Sequence, residues 1–297
     1  MTKLIIWDLD GVLWPGSLTE GGDIHIPNKI LNFIQDTEDN GVIHSICSKN
    51  NFNVAKKHLE TFGIWDLFVF PSIDLTPKGN RIKQIIQLCQ LRNMDVVFID
   101  DNIINLNEAV FYSPRLNVSN DVKQFINGFV MPNSQSRTLQ YKILESKTKA
   151  KQLYTDDDAF LKDSDIQIAI AEMIECLPYH NRIEELVNRS NQLNYTRSRF
   201  DVNANIDNNY VYKQGYKHIQ GSAISYLMRN SVKSYAVFAW DKYGYYGLVG
   251  FIAVDSRLKI DANKTNKCIE GTLSTFVFSC RIMNMKIEQK CIQWLKN

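Results

Sequence analysis

Asp8 and Asp10, one leucine apart, follow directly on the apolar run Leu4–Trp7. A carboxylate needs no deprotonation near neutral pH. The first aspartate can therefore act as a nucleophile and split one hard transfer into two easier ones. The second can protonate a leaving group and then activate water. Two anions facing a phosphate repel it, and a hard divalent cation removes that repulsion; Mg2+ suits carboxylates combined with a phosphate oxygen. Ser48, beside Lys49 and Asn50 and ahead of Asn51, offers a hydroxyl where the free amides of a helix start cradle phosphate. Lys78 is a point cation able to neutralise a phosphoryl oxygen and the aspartate. Asp100, Asp101 and Asn102 offer further metal ligands. Singly, each piece has a plain structural reading: a loop or cap for Asp-x-Asp, a helix cap for serine, a solvated lysine, a turn for Asp-Asp. Their order along the chain, each behind a separate strand, carries the argument.

The elements that must hold these groups alternate between strand and helix over the first 120 or so residues, the mark of a parallel sheet covered by helices. Leu4–Trp7, Val42–Cys47, Leu67–Phe70, Val96–Ile99 and Leu116–Val118 read as strands. Pro27–Asp39, Phe52–Phe62 and Gly79–Leu91 read as helices, with proline opening the first and Gly41 and Gly63 behind the first two. Pro132–Arg137 is a polar linker, Thr138–Tyr154 a connecting helix and Asp156–Asp158 an acidic turn. The rest is α+β: strands at Ile166–Ile170 and Thr272–Ser279, a hairpin of Tyr235–Trp240 and Leu248–Val254 around Asp241–Gly247, and helices at Arg182–Asn194, Ala223–Arg229 and Met283–Leu295. The expected organisation is a phosphoryl-transfer domain over 1–131, a connector over 132–156 and a mixed domain over 157–297.

Composition agrees with two ordinary globular domains: 297 residues, 44% hydrophobic and 22% charged. A formal net charge of +2 gives no bulk attraction to nucleic acid. No run nears the ~18 apolar residues of a membrane helix, and no secretory leader is visible, so a cytoplasmic location is expected. The six cysteines, Cys47, Cys89, Cys176, Cys268, Cys280 and Cys291, form no Cys-x-x-Cys pair and no zinc-like spacing with the five histidines; reduced thiols are the expectation.

The stretches Ile5–Leu13 and Phe98–Asn102, with Ser48 and Lys78 between them, resemble the four motifs of the haloacid-dehalogenase-like superfamily. That resemblance implies a Rossmann-like α/β fold, Asp8 as nucleophile and metal ligand, and Asp10 as general acid/base lending its main-chain carbonyl to the metal. It also implies that Ser48 and Lys78 hold phosphate, that Asp100 is a metal ligand, and that Asp101 supports it. A closer resemblance, to the FkbH-like branch, rests on Asp8–Trp14, Cys47–Asn51, Val97–Asn102, Arg189–Thr196, Asp241–Gly250 and Ser279–Arg281. That branch joins phosphatase chemistry to loading a glyceryl unit from a phosphoglycerate-type acyl donor onto an acyl carrier protein. Its second half resembles a GNAT-type acyltransferase. One departure stands out. Where that loop carries two glycines behind the arginine, this chain has Asn284 and Lys286, after Arg281. Side chains there obstruct close backbone approach to a pyrophosphate. Coenzyme A is therefore disfavoured, while pantetheine on a carrier, with a single phosphate, is affected less, and Lys286 could compensate. The alternative is that this half has lost transfer and only packs or binds a partner.

Neither the interval Leu13–Val42 nor Ser48–Lys78 has room for a cap domain, which leaves an open site unless the second half covers it. Cys47 and Cys280 are candidates to carry an acyl group, against plain packing roles. The aromatics of Tyr243–Tyr246 read as hairpin packing before ligand stacking, and Lys147–Lys151 as a solvated helix face before a carrier-docking patch. Two rivals to the coupled transferase remain: a plain capless phosphatase acting on a sugar phosphate, nucleotide or macromolecule, and a binding module without turnover.

Overall fold

The computed structural model describes residues 2–20, 24–201, 210–213, 215–229, 232–260 and 267–296, and the chain forms two compact units, Met1–Lys149 and Ala150–Asn297. Unit 1 contains β1 (Leu4–Trp7), α1 (Asn28–Asp39), β2 (Ile43–Ser48), α2 (Phe52–Thr61), β3 (Ser72–Ile73), α3 (Lys78–Leu88), β4 (Val96–Ile99), α4 (Ile103–Tyr112), β5 (Asn117–Ser119), α5 (Val122–Gly128) and α6 (Thr138–Lys151). Its five strands run parallel in the order β3-β2-β1-β4-β5. Strand alternation sends Ile5 and Trp7 into one apolar cluster, with Phe33, Ile34, Ala55 and Leu59 of α1 and α2. It sends Leu4 and Ile6 into the other, with Ile82, Ile85, Leu106, Ala109, Tyr141 and Leu144 of α3, α4 and α6. Helices on both faces account for strands that are apolar on every residue.

The helices start where local chemistry satisfies their free amides. Asn51 caps α2 by accepting from the Asn53 and Val54 amides, Asn102 caps α4 through the Ile104 amide, and Asp121 caps α5 through Gln124. Two expectations for this half need correction. The apolar run Leu67–Phe70 is not a strand. Trp65–Leu67 forms a 3-10 turn, and Phe68 makes one isolated bridge to His44. Phe70, at φ 48, then turns the chain before two residues pair as β3. The polar stretch behind Pro132 is also not a free linker, because Ser134 and Gln135 pass so close over Gly41 that a Cβ there would clash with both. Thr138, Tyr141 and Leu144 continue into the buried side of α6, so the unit extends beyond residue 131.

Unit 2 contains α7 (Asp157–Asp163), β6 (Gln167–Glu172), α8 (Met173–Cys176), α9 (His180–Arg189), β7 (Ser198–Asp201), β8 (Tyr210–Lys213), β9 (Tyr216–Gln220), α10 (Ala223–Leu227), β10 (Val232–Asp241), β11 (Gly244–Ile260), β12 (Lys267–Phe278) and α11 (Ile287–Lys296). An antiparallel sheet has the order β12-β11-β10-β6, and a smaller one the order β7-β9-β8. The acidic turn belongs to α7, with Asp156 as its cap and Asp157 and Asp158 in its first turn, where the helix dipole favours anions. The small sheet has little apolar alternation to announce it; in β7 the inward positions are Ser198 and Phe200.

Candidate active site

The strands β1, β2 and β4 end at one edge of the sheet. The Asp8 amide donates to the Ile99 carbonyl and the Asp100 amide to that of Ser119, so both aspartates continue the sheet ladder by one step. Ser48 closes β2, and Lys78 opens α3 behind Pro77. All four side chains are buried: Asp8 is 6% exposed, Ser48 and Lys78 1%, and Asp100 0%.

The Lys78 ammonium sits between two carboxylates, 2.7 Å from Asp8 Oδ1 and 2.6 Å from Asp100 Oδ2. Asp100 is further held by the Asn102 amide at 2.8 Å, and by Asn105 Nδ2, which donates to both its oxygens at 3.1 Å. Asp101 has no donor on its carboxylate among the described residues. Its Oδ2 lies over Gly11, at φ 73, where an added Cβ would collide with it. One oxygen each from Asp8, Asp100 and Asp101 lie within 4.8 Å of one another. Three carboxylates thus gather here, and two of them share one ammonium. Burial raises the Asp8 carboxyl above its ordinary range, the Lys78 charge opposes this, and the charge of Asp100 adds to it.

The two members of the Asp-Asp pair have different partners. Asp100 was expected as the ligand and Asp101 as support. Asp100 offers its oxygens to Lys78, Asn105 and the Asn102 amide, and Asp101 presents the uncommitted carboxylate.

Asp10 is held apart from that cluster by the segment behind it. Its Oδ1 accepts from Trp14 Nε1 at 2.8 Å and the Leu18 amide at 3.4 Å, and its Oδ2 from Ser17 Oγ at 3.0 Å. Asn50, itself buried, donates to Ser48 Oγ at 3.1 Å, while the exposed Lys49 reaches Asn105 Oδ1 at 3.3 Å. Asn102 serves as the α4 cap.

Three contributors were not legible as site residues. Arg81, 6% exposed, spends all five N–H donors on the loops behind β2 and β3: the Ser48, Ser72, Asp74 and Thr76 carbonyls and the Ser72 hydroxyl. Asn105 and Ser17 complete the set. The one available signal was spacing, since Arg81 lies a helical turn beyond Lys78 and Asn105 a turn into α4.

The proposed acyl-carrying role of Cys47 does not fit its position. Its side chain packs in the core at 0% exposure, and burial pushes the thiol up to about 12. It is neither reachable nor ionised. Cys280 is partly exposed, at the start of a 3-10 turn. Cys89, Cys176 and Cys291 are buried free thiols, and the side chain of Cys268 lies outside the described residues. Arg281 is buried, with Nε donating to Ser279 Oγ at 3.1 Å, and Lys286 pairs with Asp158. Asn284 and Lys286 have φ of 65° and 58°. The backbone there keeps the left-handed shape that glycine adopts most readily. Tyr246 is buried and donates to Asp241 Oδ2 at 2.8 Å, and the Tyr243 amide donates to Oδ1 at 2.9 Å, so these aromatics build the hairpin turn. Lys147 is buried and Lys149 pairs with Glu145, so Lys147–Lys151 is not a uniformly solvated face.

No family profile matches the sequence, and no curated protein matches it. Solved structures do. The N-terminal part of a Bacteroides fragilis protein, containing a phosphatase domain and complexed with Mg, is 22% identical at a TM-score of 0.41 over 46% of this chain. The chain covers 42% of that protein's length, less than half. A HAD-superfamily hydrolase from Ehrlichia chaffeensis is 10% identical at a TM-score of 0.34, over 43% of this chain and 96% of its own. A 3-deoxy-D-manno-octulosonate 8-phosphate phosphatase from Moraxella catarrhalis, with magnesium, phosphate and the sugar bound, is 14% identical at a TM-score of 0.32, over 55% of this chain and 92% of its own.

Proposed function

We propose that unit 1 is an Mg2+-dependent phosphatase that works through an aspartyl-phosphate on Asp8. The carrying observation is the buried Lys78 ammonium shared between Asp8 and Asp100 beside an uncommitted Asp101. The donor set fits the metal: hard carboxylate oxygens, in excess over the neighbouring cation, at the C-terminal edge of a parallel sheet. Asp8, Asp100 and Asp101 offer the oxygens that would hold it, with the Asp10 main-chain carbonyl. When bound, Mg2+ offsets the repulsion between these carboxylates and the phosphate and polarises a phosphoryl oxygen.

The chain's own groups do the rest. An Asp8 oxygen attacks phosphorus, and the bond to the leaving oxygen breaks. Asp10 gives that oxygen its proton. Lys78, the Ser48 hydroxyl and the amides ahead of α2 bind the non-bridging oxygens, with Lys49 and Asn50 beside them. Asp10 then takes a proton from water, the hydroxide attacks the acyl-phosphate, and inorganic phosphate leaves with Asp8 restored. The trio Trp14, Ser17 and Leu18 positions Asp10, and Ser17 can turn its hydroxyl from donor to acceptor as Asp10 gains or loses the proton.

The test is phosphate release from a phosphoester panel with and without Mg2+, alongside borohydride trapping of the acyl-phosphate. Expected are Mg2+-dependent turnover, reduced Asp8 in the wild type, and loss of both in Asp8→Asn by at least about a thousandfold. Turnover that survives Asp8→Asn overturns the reading.

A finer reading adds acyl transfer by unit 2: a phosphoglycerate-type donor, with the glyceryl group passed to an acyl carrier protein thiol. It is supported by the left-handed backbone at Asn284 and Lys286, the positions at which the resembling loop carries glycine. With Cys47 enclosed, Cys280 or the carrier thiol itself must take the acyl group. A carrier mass gain of one glyceryl group, absent with Asp8→Asn, supports this reading. Phosphate release without an adduct leaves the phosphatase alone.

A further inference from the structure

Asp100 is fully buried, yet its carboxylate must keep one orientation for Lys78 to stay shared with Asp8. Asn105, one turn into α4 and 8% exposed, bridges both Asp100 oxygens with its amide nitrogen at 3.1 Å. Its amide oxygen accepts from Lys49 Nζ at 3.3 Å. The two contacts agree on a single amide orientation: the carboxylate demands the NH2 end, and the ammonium demands the oxygen. A charged chain results: Lys49, Asn105, Asp100, Lys78, Asp8. Its ends are the phosphate-binding loop behind β2 and the nucleophile behind β1.

We infer that Asn105 is a positioning residue for the phosphatase reaction, with Lys49 as the group that sets its amide. The inference rests on the phosphatase reading above. Without the bridging amide, Asp100 is free to rotate away from Lys78, and the ammonium collapses onto Asp8. That blocks the attacking oxygen and loosens the carboxylate cluster that the metal would use. Without Lys49, the amide is free to flip and turn its oxygen toward Asp100, so the same damage follows in part.

The experiment compares Asn105→Leu, Asn105→Ala and Lys49→Ala in the full chain, each alone, and each Asn105 variant combined with Lys49→Ala. Three quantities are read: kcat on a small phosphoester, Mn2+ affinity by electron paramagnetic resonance, and the thermal midpoint. Leucine keeps the heavy-atom count and Cγ branching of asparagine and removes both polar ends. Expected is a ten- to hundredfold fall in kcat and in Mn2+ affinity for both Asn105 variants, the usual range for groups that orient metal ligands. Lys49→Ala, on an exposed side chain, should keep the wild-type midpoint and lower kcat severalfold. Its effect should vanish in the Asn105→Leu background, because the two residues act through one amide. Asn105→Leu with kcat and Mn2+ affinity within twofold of wild type overturns the proposal, and full additivity with Lys49→Ala overturns the part assigned to Lys49, leaving it to act on the phosphate directly. A wild type that binds Mn2+ but turns over no phosphoester defeats the phosphatase reading, and the Mn2+ affinities still decide the role of Asn105.

Discussion

At the scale of single residues, two chains of buried polar groups differ in what they do with protons. Around Asp8 the chain is charged. Around His44 it is neutral: Trp7 Nε1 donates to His44 Nδ1 at 3.0 Å, and His44 Nε2 meets Thr37 Oγ1 at 3.0 Å. The Thr37 hydroxyl donates to the Phe33 carbonyl, so it must accept from Nε2–H, which fixes the tautomer. A second ring proton would point at the Trp7 donor. Burial holds the His44 imidazole down to about 3, against an ordinary value of 6.5. The unfolded chain therefore binds one more proton than the native one between these values. Stability is present in full above ~6.5, falls as pH drops through the window, and is lost by about 3, with a limiting slope of ~1.4 kcal/mol per pH unit. Asp8 has the opposite sign, since its carboxyl is raised: its contribution is present at low pH and lost as pH rises through the raised value. His44→Gln can accept from Trp7 and donate to Thr37 without titrating. Denaturant melts from pH 7 to 4 should show the wild type losing stability more steeply than His44→Gln. Parallel curves would mean that His44 does not titrate with unfolding.

At the scale of elements, the loop between β12 and α11 places two residues other than glycine in the left-handed region, Asn284 and Lys286. Asn284 at φ 65 is a mild departure, because asparagine visits the left-handed region more readily than most residues, while alanine there costs about 1–2 kcal/mol. Asn284→Ala should destabilise unit 2 by roughly that amount and Asn284→Gly by less, measured by chemical denaturation of the full chain. Equal midpoints for the two would mean that the loop does not need the left-handed turn. The same feature explains why α11 starts at Ile287 and not at Met283. A residue with positive φ cannot enter a right-handed helix, and periodicity alone does not reveal it. Phe70 hid the end of an apparent strand in the same way. What could be read from the chain was whatever depends on hydrophobic period and end chemistry: β1, β2, β4, the helices α1 to α3, and the carboxylates behind the strands. What could not be read depends on tertiary hydrogen bonding, above all the different partners of Asp100 and Asp101 and the contacts made by Arg81 and Asn105. An Asp-Asp pair looks symmetric in sequence. Only the packing of Lys78 and Asn105 against one member breaks the symmetry.

At the scale of the whole molecule, the two units differ in construction, and the difference is testable by dissection. Both apolar clusters of the parallel sheet draw their buried members from Leu4 to Leu144, all within unit 1. The candidate site does the same, from Asp8 to Asn105. A domain of about 150 residues buries some two thirds of the surface its unfolded chain exposes, enough to fold alone. A fragment of residues 1–151, which keeps α6 whole, should therefore unfold in one cooperative transition. It should release phosphate from a small ester with kcat within about threefold of the full chain, and lose that activity with Asp8→Asn. The choice of endpoint matters, because stopping at residue 131 removes Tyr141 and Leu144 from the second cluster. Deleting two buried apolar side chains of this size costs on the order of 4 kcal/mol or more. The shorter fragment should accordingly be unstable or inactive while the longer one works. If both fragments fold but neither turns over, hydrolysis needs residues beyond 151, and the activity belongs to the joined chain. If the longer fragment alone matches the full chain, phosphoester chemistry is complete in the first unit, and any role of the second lies outside hydrolysis, in acyl transfer or in the choice of what that chemistry acts upon.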